Sequence, residues 1–199
     1  MNKIYAFLLL IGSAFFACNS FEILTHSQLR EFTLDEIEKN GIGDAKYIRV
    51  KGLFPADLYV YSYKEGDKTP VGYKFGLYSL EQIKALESEA DLETFKPNVR
   101  LFLEVSNNQI ASADKFYEYL TSEVNKDEDF AIEGVVSPFD LDSEDERLFA
   151  EGINFGENNY VLTYNAKPED SKFLLIVSVL VFLGSLIYLV VSFSGSKNS

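Results

Sequence analysis

"KYIRVKGLFPADLYVYSYKEG", residues 46–66, is rich in β-branched and aromatic residues and carries a proline near its middle. It reads as two strands, 46–54 and 57–66, meeting at Pro55 and Ala56. The turn signals "EGDKTP" precede a third strand at 71–80. "NVRLFLEVSNN" (98–108) alternates cleanly, with Val99, Leu101, Leu103 and Val105 on one face and Arg100, Phe102 and Glu104 on the other. Further strands are expected at 129–137 and 158–165. Helix signals fall between them. Thr33 and Glu36 form a capping-box pair ahead of "LDEIEKN", and Gly41 can close that helix. Ser79 and Gln82 pair in the same way before "LEQIKALESEA". Ser112 caps "ADKFYEYLTSEV", in which Phe116, Leu120 and Val124 recur at helical spacing.

This order predicts an α+β domain: a mostly antiparallel sheet, or a small OB-like barrel, with flanking helices. Three strands, a helix and two more strands is one order that a partly open barrel of the oligonucleotide-binding type can take. Two segments also resemble each other, "VKGLFPADL" from Val50 and "IEGVVSPFDL" from Ile132. Each runs aliphatic, charged, Gly, two apolar residues, Pro, one apolar residue, Asp, Leu, with one residue inserted before Pro138. Gly52 and Gly134 are candidates for a bulge or a close backbone approach, and Pro55 and Pro138 for strand ends. A duplicated half-domain and simple convergence of strand-then-turn sequences both account for the likeness.

Both chain ends are apolar. Residues 173–193 contain no charge, and 21 residues of helix cover roughly 31 Å, the thickness of a hydrocarbon core. One C-terminal transmembrane helix is therefore expected, with 194–199 as a short cytoplasmic tail. At the other end, Lys3 precedes an uncharged run of 14 residues, Ile4 to Ala17, which spans only about 21 Å. That length suits the h-region of a signal peptide over 1–17; a short N-terminal membrane helix is the competing reading. Lys3 and Lys197 put both tails in the cytoplasm, so the domain at 19–171 faces outward.

That domain carries 15 basic against 31 acidic residues, a net charge of −16. Such a surface repels phosphate backbones, and no nucleic-acid partner is expected. Cys18 and His26 are the only cysteine and histidine, which excludes Cys–His nucleophiles and zinc sites of the Cys/His type. His26 reads as a surface residue. The sequence calls for no cofactor. A weak calcium candidate lies in "DLDSEDERLFAE", where Asp140, Asp142, Glu144, Glu146 and Glu151 take EF-hand loop positions. Asp145 occupies the position that needs glycine, so a helix start capped by Ser143 and Glu146 is the better reading. Tyr59, Tyr61 and Tyr63 share one strand face and form the candidate ligand face; cross-strand packing or cover by the 80–90 helix is the structural alternative.

"AFFACNS", residues 14–20, resembles the lipobox of bacterial lipoproteins. Ala17 before Cys18, the Lys3 n-region and the polar residues after the cysteine fit; Phe15 and Phe16 depart from the pattern. The resemblance implies lipidation of Cys18 as a second membrane anchor. The sequence thus reads as a membrane-tethered extracytoplasmic binding or assembly module of the bacterial cell envelope. It is placed at the inner membrane, with its main domain facing the periplasm and a protein partner in the envelope. The alternative is a carboxylate-dependent envelope hydrolase, acting for example on glycans.

Overall fold

The computed structural model describes residues 3–63, 70–86, 95–127, 129–139, 149 and 152–194. The chain forms two compact units. Gln28–Ala166 is one, and the two terminal segments, Met1–Ser27 and Lys167–Ser199, make the other.

The first unit is mixed α+β. Its strands are β1 (Arg30–Thr33), β2 (Tyr47–Lys51), β3 (Leu53–Tyr63), β4 (Pro70–Ser79), β5 (Asn98–Ser106), β6 (Ala131–Pro138) and β7 (Asn154–Tyr164). They make one sheet in the order β1-β2-β6-β7-β5-β4-β3. The β1–β2 and β5–β7 pairs are parallel and the other four are antiparallel. The mostly antiparallel sheet is as expected. The strand order is open, with β1 and β3 at its ends, so the closed-barrel alternative is not what the ladders form.

Gly52 explains how this sheet is wired. The break between the first two long strands falls there, not at Pro55–Ala56 as the sequence suggested. Its φ of +63° lies in the left-handed region, where a side chain is strained. One residue thus carries the chain from the second strand position to the seventh. Pro55 stays inside β3, opposite Leu77, because an end strand tolerates a missing N–H. Gly134 plays the other role. A Cβ there would collide with the Thr163 carbonyl on β7, so glycine allows the two strands to close up. The two look-alike segments are neighbours in the sheet, with Val50 directly opposite Ile132.

Two apolar clusters fill the unit. The larger joins Leu53, Phe75, Leu101, Leu103, Ile132 and Leu162 from the strands to Leu34 and Ile37 of α2 (Leu34–Asn40). Phe116 and Leu120 of the amphipathic α4 (Ala113–Lys126) complete it, with Ser112 capping α4 as expected. The smaller cluster was not expected. Phe102, on the β5 face opposite Leu101 and Leu103, is fully buried, with ring centroids 5.0 Å from Phe139 and 5.1 Å from Phe149. Val99 belongs to this second cluster too, beside the point where the β5–β7 register shifts.

The terminal unit holds two apolar helices where one transmembrane helix was expected: α1 (Lys3–Thr25) and α5 (Asp170–Ser194). By length and composition both can cross a membrane. α1 does not stop at Ala17; it runs through Cys18 and adds Asn19 to Thr25, which brings it to 23 residues. The two helices pack on each other, and small residues line the contact. Ala6, Ser13 and Ser20 are buried on α1, and Ser178 and Ser185 on α5.

Candidate functional site

The tyrosine row lies on β3, the last strand of the sheet, and the structure covers more of it than the sequence implied. Tyr59 sits 5.7 Å from Tyr61, 6.1 Å from Tyr73 and 5.4 Å from Phe75, centroid to centroid. Phase-two alternation on β3 and β4 puts these four rings on one face, and Phe116 of α4 packs against Phe75 at 5.6 Å. The Tyr59 hydroxyl donates to Asp114 Oδ1 on the first turn of α4, at 2.7 Å. The cover seen here comes from α4; residues 87–90 of the 80–90 segment lie outside the described residues. Tyr61 stays 48% exposed, and the Tyr63 side chain lies outside the described residues. The candidate face is thus an aromatic patch with Tyr61 presented and Tyr59 pinned.

The Asp114 hydrogen bond pushes the Tyr59 phenol above its ordinary range, with burial and Tyr61 adding to it. A proton shuttle working near neutrality needs a pKa shifted the other way. What this patch offers is flat apolar area and a fixed hydroxyl donor, which suits stacking and hydrogen bonding rather than proton transfer.

Glu38, on α2, was not singled out from the sequence. Its carboxylate accepts from the Ser79 N–H and hydroxyl, both at 2.7 Å, and from Gln82 Nε2 at 2.8 Å. Gln82 also bridges to Asn98, donating to its carbonyl at 2.9 Å and accepting from its N–H at 2.8 Å. The expected Ser79–Gln82 capping box is therefore absent, because both side chains serve Glu38 and β5 instead. Arg100 of β5 donates to the Glu38 carbonyl at 2.5 Å, so this network ties α2 to α3 (Leu80–Lys84) and β5. Glu38 is thus a structural joint of the fold.

A cleft of about 520 Å³ opens beside Gly52, lined by Thr33, Asp35, Leu53, Glu81, Lys84 and Phe130 among others. Lys84 bridges to Glu81 at 2.7 Å, Lys39 to Asp35 at 2.8 Å, and Asp127, also on the wall, accepts from the Asp129 N–H at 2.9 Å. His26 folds its Nδ1 back to within 3.1 Å of the Glu22 carbonyl and 3.2 Å of Thr25 Oγ1, at the end of α1. Cys18 is exposed on α1. The calcium candidate, Asp140 to Glu151, lies outside the described residues, as does the alternative helix start at Ser143. Among the described residues, no three His, Cys, Asp or Glu side chains come together to hold a metal ion. Compared with protein-family models, curated proteins and solved structures, the chain matches none of them.

Proposed function

We propose that this protein is a membrane-tethered binding or assembly module whose β-domain sits on the extracytoplasmic side of a bacterial inner membrane. The observation that carries the reading is the pair of apolar helices at the two ends of one acidic domain. With both ends anchored, the domain is confined to a thin layer above the bilayer, where effective concentrations toward neighbouring membrane proteins are high. The aromatic patch around Tyr61 supports binding as the role, and the charge of −16 favours a protein partner with neutral or basic character over nucleic acid.

Two measurements test this. A cytoplasmic reporter fused after Ser199 is expected to be active, and alkaline phosphatase at the same point inactive; the reverse pattern sinks the topology. Cross-linking in intact cells, followed by detergent extraction, is expected to recover an envelope protein with the native chain and to lose it with Tyr61→Ala. Recovery that is indifferent to Tyr61 would remove the patch from the binding reading.

A further inference from the structure

The contact between α1 and α5 follows a seven-residue rule on both helices. On α1 the buried Ala6, Ser13 and Ser20 alternate at fours and threes with the half-buried Leu10, Ala17 and Leu24, and Gly12, Ala14 and Ile23, also half-buried, flank that line. On α5 the same spacing runs through Leu175, Ser178, Phe182, Ser185, Leu189 and Ser192. A 3.5-residue period is the seam of a left-handed helix pair, and small residues at one seam position let two backbones approach closely. Ser13 and Ser178 both line one groove, with Tyr5, Gly12, Phe16, Leu174 and Val181 among its other walls. Helices that run in opposite directions and meet at Ser13 and Ser178 place Ala6 at the level of Ser185. Small residue then faces small residue along the seam.

We infer that α1 is not a removable leader but a permanent membrane helix, paired with α5 along this seam. A signal h-region needs only bulk apolarity and has no reason to hold a second helix in register. The seam also accounts for Ala17. The small residue that reads as the step before a lipobox cysteine occupies a contact position, while Cys18 beside it faces outward. Cleavage before Cys18 would remove Ala6, Ser13 and Ala17 and leave Ser178 and Ser185 turned to lipid without their packing partners.

The test uses the full chain purified from native membranes. Its intact mass is expected to show an uncut N-terminus at Met1 or Asn2. A mature N-terminus at Cys18 with added acyl mass, or any unmodified start beyond residue 14, overturns the inference. Pairing is read separately in a Cys18→Ser background carrying Ser13→Cys with Ser178→Cys. Mild oxidation is expected to form an intramolecular disulfide in most of the protein, since small residues at close approach fall within disulfide reach. Leu9→Cys with Leu180→Cys, both exposed positions, is the control and is expected to stay reduced. If the first pair inserts poorly, Ala6→Cys with Ser185→Cys replaces it. An uncut chain whose seam pairs form no disulfide beyond the control overturns the pairing.

Discussion

Tyr59 and Tyr78 are held neutral for different reasons, and the difference is measurable. Tyr59 is raised mainly by its hydrogen bond to Asp114, whereas Tyr78, almost fully buried, is pushed up to about 12 chiefly by burial. Asp114→Ala is expected to bring the Tyr59 titration down toward the ordinary value of about 10, leaving Tyr78 in place. Residue-specific ¹³Cζ shifts across an alkaline titration check this; a Tyr59 titration that ignores the substitution would locate the cause elsewhere. The consequence for stability follows from the direction. A phenol whose folded pKa is raised stabilises the fold fully below about pH 10, where folded and unfolded chains are both protonated. Above that, the unfolded chain releases protons that the folded chain keeps, and stability is lost as pH rises toward the folded value. Tyr117 and Tyr164, also raised by burial, act in the same direction. Melting temperatures of the detergent-solubilised chain are expected to be flat with respect to these phenols up to about pH 10 and to fall between there and about pH 12. Tyr78→Phe is expected to make that fall shallower. At this scale the sequence was legible for Thr33 and Glu36, whose two reciprocal hydrogen bonds form as the spacing implied. It was silent on Asp114, because a helix-start acid looks alike whether it faces solvent or a tyrosine 55 residues away.

Gly52 and Gly134 look interchangeable in the sequence, and the structure gives them unlike work. Gly52 has nothing within 4 Å of where a Cβ would stand, so Gly52→Ala costs only backbone strain, about 1–2 kcal/mol. Gly134→Ala forces a methyl into the Thr163 carbonyl across the β6–β7 ladder, and about 3 kcal/mol is expected as the strands part. Thermal melts of the two variants check the order; equal losses would mean that the close approach of β6 and β7 is soft. Strand existence was legible because alternation at 98–105 survives in any sheet with one buried face. Phe102 escaped because this sheet is covered on both faces near β5, by Phe139, Phe149 and Phe155, and alternation carries no signal once both faces are apolar. Capping at Ser79 misled for a similar reason. The local pattern was right, but Glu38, 41 residues earlier in the chain, outcompetes the local bond.

For the whole molecule, the apolar ends were the most legible part, and the length of the first helix was not. Hydropathy found both apolar runs, but ending the first where polar residues follow Cys18 left it at Ala17, whereas the helix continues to Thr25. The seven-residue recurrence of Ala6, Ser13 and Ser20, and of Ser178 and Ser185, was present in the sequence throughout. It is invisible to a reading of bulk apolarity, since serine counts there as a defect rather than as a contact. The division into two units carries the last expectation. The buried residues of both apolar clusters, from Leu34 to Leu162, all belong to Gln28–Ala166, so the unit has a core of its own. Its charge opposes aggregation, and its two ends are cut at polar linkers rather than through a strand or helix. The fragment Gln28–Ala166, expressed alone, is therefore expected to be soluble and to melt in one cooperative step, with near-ultraviolet dichroism from its packed tyrosines. Loss of that signal with secondary structure retained would be the mark of a molten core. It would mean that the helix pair, by holding the ends of β1 and β7, is part of what folds the domain rather than only what anchors it.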